Sequence, residues 1–274
     1  MRPRATPRPE LIGRLRAAGC VFAEEESALL VEEATSAAEL DALVRQRVSG
    51  LPLEHVLGWA EFCGLRIAVD PRVFVPRRRT EYLVKRAARL LNARRAPRMP
   101  VVVDLCCGSG AVGAALAALA GPLELHAADV DAAAAACARR NLLRLGAEVH
   151  EGDLFDPLPE RLRGRVDLMA VNAPYVPSEM IGTMPPEARL YEPRVSLDGG
   201  PDGLELQRRI AAAAPEWLAP GGHLLIETSR RQAPQTVKIL AGNGLSGCVF
   251  SSRKLDATVV LGSAATADAS RRGR

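Results

Sequence analysis

Apolar positions along this chain change their spacing twice. From Glu10 to Ser49 they recur at helical intervals: Leu11, Leu15 and Ala18 share a face, and Leu40, Leu43, Val44 and Val48 share another. Ala28, Leu29 and Val31 follow a run of three Glu, of which Glu25 and Glu26 suit the first turn of a helix. Ser36 is placed to cap a third helix, with Glu39 at capping-box spacing. Two or three helices of this size bury too little surface to stand alone, so they must pack on the rest of the chain. Gly50-Leu51-Pro52-Leu53 breaks the helical run, and residues 56–69 alternate around a glycine, which predicts a hairpin. A helix through Leu83, Ala87, Leu90 and Leu91 comes next, then a basic, proline-containing linker over 92–100.

From Val101 the pattern becomes strand, helix, strand. Strands are expected at 101–105, 123–129, 148–153, 166–171 and 223–228. Helices are expected at 111–119, 132–145 and 204–218, with a helix end at 236–242. Pro220-Gly221-Gly222 should stop the 204–218 helix, and 248–251 with 257–261 should form a closing antiparallel pair. Strands interleaved with helices imply an α/β fold with a mostly parallel sheet covered on both faces. The expected divisions are a helical module at 1–50, a hairpin and linker helix at 51–96, an α/β domain at 97–264 and a loose tail at 265–274. The first nine residues alternate Arg and Pro and are expected to be loose too.

Composition narrows the picture. Net charge is +4, but much of the excess sits at the ends, on Arg2, Arg4, Arg8, Arg271, Arg272 and Arg274. Basic ends of this kind solvate tails rather than build a nucleic-acid face, and only 4% of the residues are aromatic, so stacking platforms are scarce. The six cysteines (20, 63, 106, 107, 137 and 248) lack zinc-finger spacing and read as reduced thiols, which places the protein in the cytoplasm. No apolar run reaches membrane-span length, and the N-terminus has no apolar signal core. His55, His126, His150 and His223 show no metal-ligand spacing, so they read as structural and no metal is expected.

The chemistry gathers at the ends of the strands. The 166–171 run delivers Asn172-Ala173-Pro174-Tyr175. The Asn172 side-chain oxygen can accept one N–H and the Ala173 carbonyl a second, since Pro174 restricts the residue before it. Tyr175 can cover a flat group held there. Together they make a site for an –NH2. Asp104-Leu105-Cys106-Cys107-Gly108-Ser109-Gly110 is a tight loop between strand and helix, where missing Cβ atoms let a ligand approach the backbone. Asp129 ends the next strand and can accept two ribose hydroxyls, and Asp153 stands at the end of the third strand, with Leu154 after it. Neither a G-x-G-x-x-G dinucleotide fingerprint nor a P-loop is present. An acid ahead of the loop, Asp104, repels pyrophosphate but suits a cation. S-adenosylmethionine (SAM), which carries a sulfonium and an ammonium, fits that description. Cys106 and Cys107 read as packing residues, because nothing nearby in sequence lowers their pKa.

These residues resemble the HemK-type protein-(glutamine-N5) methyltransferase family. The likeness runs from about residue 50 to 261. It is carried by Leu51-Pro52-Leu53-Glu54-His55-Val56-Leu57-Gly58, Val75-Pro76-Arg77, the loop from Asp104 to Gly110, Asp129, Gly152-Asp153-Leu154-Phe155 and Asn172-Ala173-Pro174-Tyr175. Pro186-Glu187, Tyr191-Glu192-Pro193, residues 197–204 and residues 218–222 share the same pattern and are more specific than the loop. The resemblance implies a Rossmann-like SAM-dependent methyltransferase with a seven-stranded sheet, acting as a monomer. It implies methyl transfer to the side-chain amide of a protein glutamine, such as that of a peptide-chain release factor. Three departures stand out: Arg78 and Arg79 replace Pro and Glu, and Ala173 replaces the first Pro of N-P-P-Y, both bearing on the acceptor, while Cys106 replaces the first loop Gly. A paralogue with a small-molecule amide or amine acceptor, a nucleic-acid amino-methyltransferase acting on a flipped base, and a non-catalytic SAM-binding scaffold stay open.

Overall fold

The computed structural model describes residues 8–94 and 98–266. Most of the expected loose start, part of the basic linker and most of the tail lie outside these residues. Three helices open the fold: α1 (Pro9–Ala17), α2 (Ala23–Glu33) and α3 (Ala37–Val48). Pro9, expected in the loose start, is instead the first residue of α1, where its missing N–H costs nothing. Ser36 caps α3 by accepting the Glu39 N–H at 3.1 Å. Glu39 reaches back to the N–H of Thr35 at 2.7 Å rather than to Ser36, so the box is displaced by one residue. Leu15, Leu30 and Val44 form the buried centre of this bundle.

The expected hairpin starts later than the alternation suggests. Pro52 and Gly58 bracket a short helix, α4 (Leu53–Leu57), which takes Val56 and Leu57. The hairpin is then only β1 (Trp59–Phe62) and β2 (Leu65–Ala68), ahead of α5 (Glu81–Ala93). Next come β3 (Val101–Leu105), α6 (Ala111–Ala120), β4 (Glu124–Asp129), α7 (Ala132–Leu142), β5 (Glu148–Glu151) and β6 (Val166–Val171). A short helix α8 (Pro186–Tyr191) interrupts the long connection to α9 (Glu205–Trp217). The chain closes with β7 (Leu218–Thr228), α10 (Ala233–Gly242), β8 (Ser246–Ser252) and β9 (Ala257–Ser263).

The main sheet has seven strands in the order β5-β4-β3-β6-β7-β9-β8. The first five are parallel; β9 runs antiparallel to both β7 and β8. Strand alternation feeds two cores. Val102, Leu168 and Leu225 face α5 and α6, with Leu83 and Leu116, while Val103, Met169 and Leu224 face α9 and α10, with Ile210 and Leu240. Pro220-Gly221-Gly222 does not precede the strand. It lies inside β7 as a bulge, where the pairing jumps from Val166↔Leu218 to Leu168↔His223. After β3 the chain winds outward through β4 and β5, then returns to place β6 on the other side of β3. That reversal puts a crevice at the C-terminal ends of β3 and β6, where open α/β sheets bind ligands. No helix among the described residues is long and apolar enough to cross a membrane.

Candidate active site

A cavity of roughly 800 Å³ opens at that crevice. Cys106, Cys107, Gly108 and Ser109 from the loop after β3, Asp129 from β4, Asp153 and Leu154 after β5, and Asn172 and Pro174 after β6 all line it. Four segments that are separate in sequence supply one wall, as the strand-end pattern predicts. Gly110, Asp104, Ala173 and Tyr175 stand elsewhere.

The loop is held from both ends. Cys107 donates its N–H to the Ala128 carbonyl at 3.0 Å, and Gly110 donates to the Cys107 carbonyl at 2.8 Å before opening α6. Cys106 sits in the left-handed region with φ of 58°, a conformation an L-residue adopts at a cost of roughly 1–2 kcal/mol. Burial, reinforced by Asp129 and Asp104, pushes the Cys106 thiol far up, and burial does the same to Cys107. Neither is a thiolate nucleophile.

Asp129 accepts the Gly108 N–H at 2.8 Å on one oxygen and the Asp131 N–H at 2.9 Å on the other. Each oxygen keeps a lone pair for a ligand hydroxyl. Asp104 is different. It is only 2% exposed, accepts the Gly113 N–H at 2.8 Å, and is not on the cavity wall. Burial, aided by nearby Asp129 and opposed by the Gly113 N–H, pushes its carboxyl up to about 8. Its place is beneath the loop, tying β3 to α6. Asp153 lines the cavity and pairs with Arg209 of α9. Leu154, in the left-handed region with φ of 48°, adds apolar surface.

At the other end of the cavity, Asn172 donates its side-chain N–H to the Thr80 hydroxyl at 3.5 Å. Thr80 is buried beside Glu227 of β7. Glu227 is 2% exposed; Tyr175 donates its O–H to it at 3.4 Å, and Arg79 lies 3.4 Å away. Burial raises Glu227 despite the opposing pull of Thr80, Arg79 and Tyr175, and burial with Glu227 pushes Tyr175 up to about 12. The turn pattern predicts that Tyr175 covers the acceptor. Its hydroxyl is instead committed to Glu227, and the residue lines a second recess with Arg79, Arg230, Arg231 and Arg253. The Ala173 carbonyl takes no hydrogen bond from the described residues.

The backbone of the Asn-Ala-Pro-Tyr turn is moulded by residues 197–203. Val176 donates to Leu197 O at 3.1 Å and Gly199 donates to Val176 O at 2.8 Å. A Cβ at Gly199 would stand 2.8 Å from the Pro174 carbonyl, and one at Gly203 would strike the Tyr175 carbonyl. Gln232, the residue just before α10, donates to that same carbonyl at 2.9 Å. The opposite wall is Val73, Phe74 and Pro76, anchored where Glu192 accepts the Val75 N–H at 3.0 Å and pairs with Arg77 at 2.5 Å.

Sequence reasoning does not single out Thr80, Glu227 or Gln232. A carboxylate within the otherwise apolar run Leu224-Leu225-Ile226-Glu227 is the one available signal. Thr80 and Gln232 act from elements far away in the chain.

Comparison with known proteins gives a consistent result. The family model described as "Methyltransferase small domain" matches residues 80–183. The release factor glutamine methyltransferase of Geobacter sulfurreducens is 41% identical over 208 residues, covering 75% of this chain and 70% of its own. The 4-amino-L-phenylalanine/4-methylamino-L-phenylalanine methyltransferase of Streptomyces pristinaespiralis is 37% identical over 203 residues, covering 73% of this chain and 69% of its own. A methyltransferase crystal structure from Pyrococcus furiosus shares the fold with a TM-score of 0.53 at 17% identity, covering 74% of this chain and 90% of that one.

Proposed function

This chain belongs to the release factor glutamine methyltransferase family, and from that premise we propose that it methylates the side-chain amide nitrogen of a protein glutamine, that of a peptide-chain release factor. The observation that carries the reading is Asn172: its N–H is committed to Thr80, so its oxygen is left to receive an N–H on the cavity side.

SAM, the methyl donor of the family, supplies an electrophilic methyl on a sulfonium. The cavity suits it: Asp129 has lone pairs left for ribose hydroxyls, Leu154 offers apolar surface with Asp153 beside it for the adenine, and the backbone of Gly108 and Ser109 lines the wall. Asp104 supports that loop from below.

An amide nitrogen is a weak nucleophile because its lone pair is delocalised. Asn172 Oδ1, on the cavity wall, accepts one of its N–H groups and aims the lone pair at the methyl; the Ala173 carbonyl, unbonded but set behind that wall, takes the second only if the bound acceptor reaches it. They also stabilise the positive charge that develops on nitrogen. The proton leaves afterwards from a cationic nitrogen, so no strong base need touch it. Pro174 shapes the turn, and Tyr175, anchored on Glu227, fixes the backbone beyond it.

The helical start, residues 1–50, is the docking module for the protein substrate in this reading. Arg47 pairs with Glu187 at 2.7 Å and Tyr191 donates to Ser49 O at 3.3 Å, which joins the module to the segment leading to Pro193 and Arg194 at the cavity. Residues 51–96 bring the approach wall, and 97–264 carry the donor site.

A second reading, a small aromatic amine as acceptor, is favoured by the Streptomyces relative and by the departures at Ala173 and Arg79. Peptide-level mass analysis of the host's release factors after incubation with the protein and SAM separates the two. One methyl on the glutamine of their Gly-Gly-Gln loop supports the first. No methyl on the protein, with SAM bound and an arylamine methylated, overturns it.

A further inference from the structure

We propose that β4 and β5 carry a divalent transition-metal site, formed by His126, Glu148 and His150, on the sheet edge and separate from the methyl-transfer residues. Parallel pairing sets His126 opposite Glu148 and Ala128 opposite His150. Strand alternation then turns all three side chains to one face. Each offers a ligand atom, and these atoms lie within 4.8 Å of one another.

The separation of the two imidazoles is informative. His126 Nδ1 and His150 Nε2 are 3.2 Å apart. Two nitrogens bound to one tetrahedral zinc, each about 2.0–2.1 Å from it, are about 3.3–3.4 Å apart. The rings already stack at 5.4 Å with 18° between their planes.

A second observation concerns the far side of His126. The residue is 1% exposed, and its Nε2 is shielded from solvent with no hydrogen-bond partner. Glu124 Oε1 stands 3.5 Å away. When Nδ1 ligates an ion, the ring proton resides on Nε2, and a small turn of the Glu124 side chain, now 3.5 Å away, would supply the carboxylate partner that metal-bound histidines keep in their outer shell. One ion would replace the single hydrogen-bond contact between the two rings with two nitrogen ligands.

The surrounding charges set the cost. Glu148 pairs with Arg161, and Arg165 lies 3.7 Å from Glu124. Glu148 exchanges Arg161 for the ion, and solvent completes the coordination, since Glu148 is exposed. Two neutral imidazoles and one carboxylate suit zinc or cobalt rather than magnesium or calcium. Bound there, the ion staples the edge strand β5 to β4, just ahead of Gly152 and Asp153.

The test uses the full chain, loaded with zinc and passed through gel filtration, with metal counted by mass spectrometry. The expected result is one zinc per chain, lost in His150→Ala and in Glu148→Gln. Cobalt loading should give the visible bands of a tetrahedral ion in the wild type only. At a hundredfold excess over Kd, zinc should raise Tm by roughly 5 °C in the wild type and leave His150→Ala unmoved. No retained zinc in the folded wild type, or equal zinc in His150→Ala, overturns the proposal. Neither readout depends on which acceptor is methylated.

Discussion

Thr80, on the approach segment, receives the side-chain N–H of Asn172, 92 residues later, at 3.5 Å. This contact decides which end of the amide meets the acceptor. The Thr80 hydroxyl is buried near Glu227 and accepts from Asn172, which leaves the Asn172 oxygen facing the cavity. Thr80→Val keeps the volume and removes the contact. Turnover should fall about tenfold, the loss of one hydrogen bond, while SAM affinity stays within about twofold. Thr80→Ser should recover most of it. Equal losses in turnover and SAM affinity would show that Thr80 only packs.

Asn172→Ala removes the acceptor for the reacting amide. By analogy with oxyanion-hole deletions, kcat should drop by roughly 10²–10³. Calorimetric titration should find SAM binding nearly intact. A parallel collapse of SAM affinity would be evidence against the proposed role.

Asp104 makes stability depend on pH in an unusual direction. Burial raises its carboxyl to about 8, so the folded chain holds this proton more tightly than the unfolded chain does. Its contribution is complete in acid, below the ordinary value of 3.8, and is lost as pH rises towards 8. Asp104→Asn has no proton to lose and still offers an oxygen to Gly113. Urea midpoints measured from pH 5 to 8.5 should therefore shift steadily in the variant's favour. A constant gap across that range would refute the assignment.

Cys106 adopts a backbone angle that glycine reaches freely. Cys106→Gly should raise stability by about 1 kcal/mol, or roughly 2–4 °C in Tm by differential scanning calorimetry. A lower Tm would mean that the side chain's packing outweighs the relieved strain.

The sheet could be read from the sequence because its central strands carry short apolar runs, such as residues 101–103, 168–171 and 224–226, bounded by turn residues. The cavity wall could be read because strand ends project functional side chains at regular points along the chain. Four features could not. Leu53–Leu57 became a helix because flanking Pro52 and Gly58 favour one, although its residues also fit the alternation. Pro220-Gly221-Gly222 became a bulge, since a sheet partner can carry a chain through breakers that would end an isolated strand. Tyr175 turned to Glu227, and His126 met His150, through contacts between segments that have no local periodic trace.

The mould formed by residues 197–203 explains how the turn can carry Ala173 where relatives of the HemK type have proline. A ring at 173 would restrict φ in the folded and unfolded chain alike. Here the restraint comes from outside, from Gly199 and Gly203 pressed against the Pro174 and Tyr175 carbonyls. The unfolded chain therefore keeps freedom worth about 0.4–1 kcal/mol that a proline would have removed. Ahead of Pro174 the turn has no ring to stiffen it and leans on the loop that encloses it, so on warming, catalysis should fade when that loop loosens, ahead of the melting of the sheet beneath.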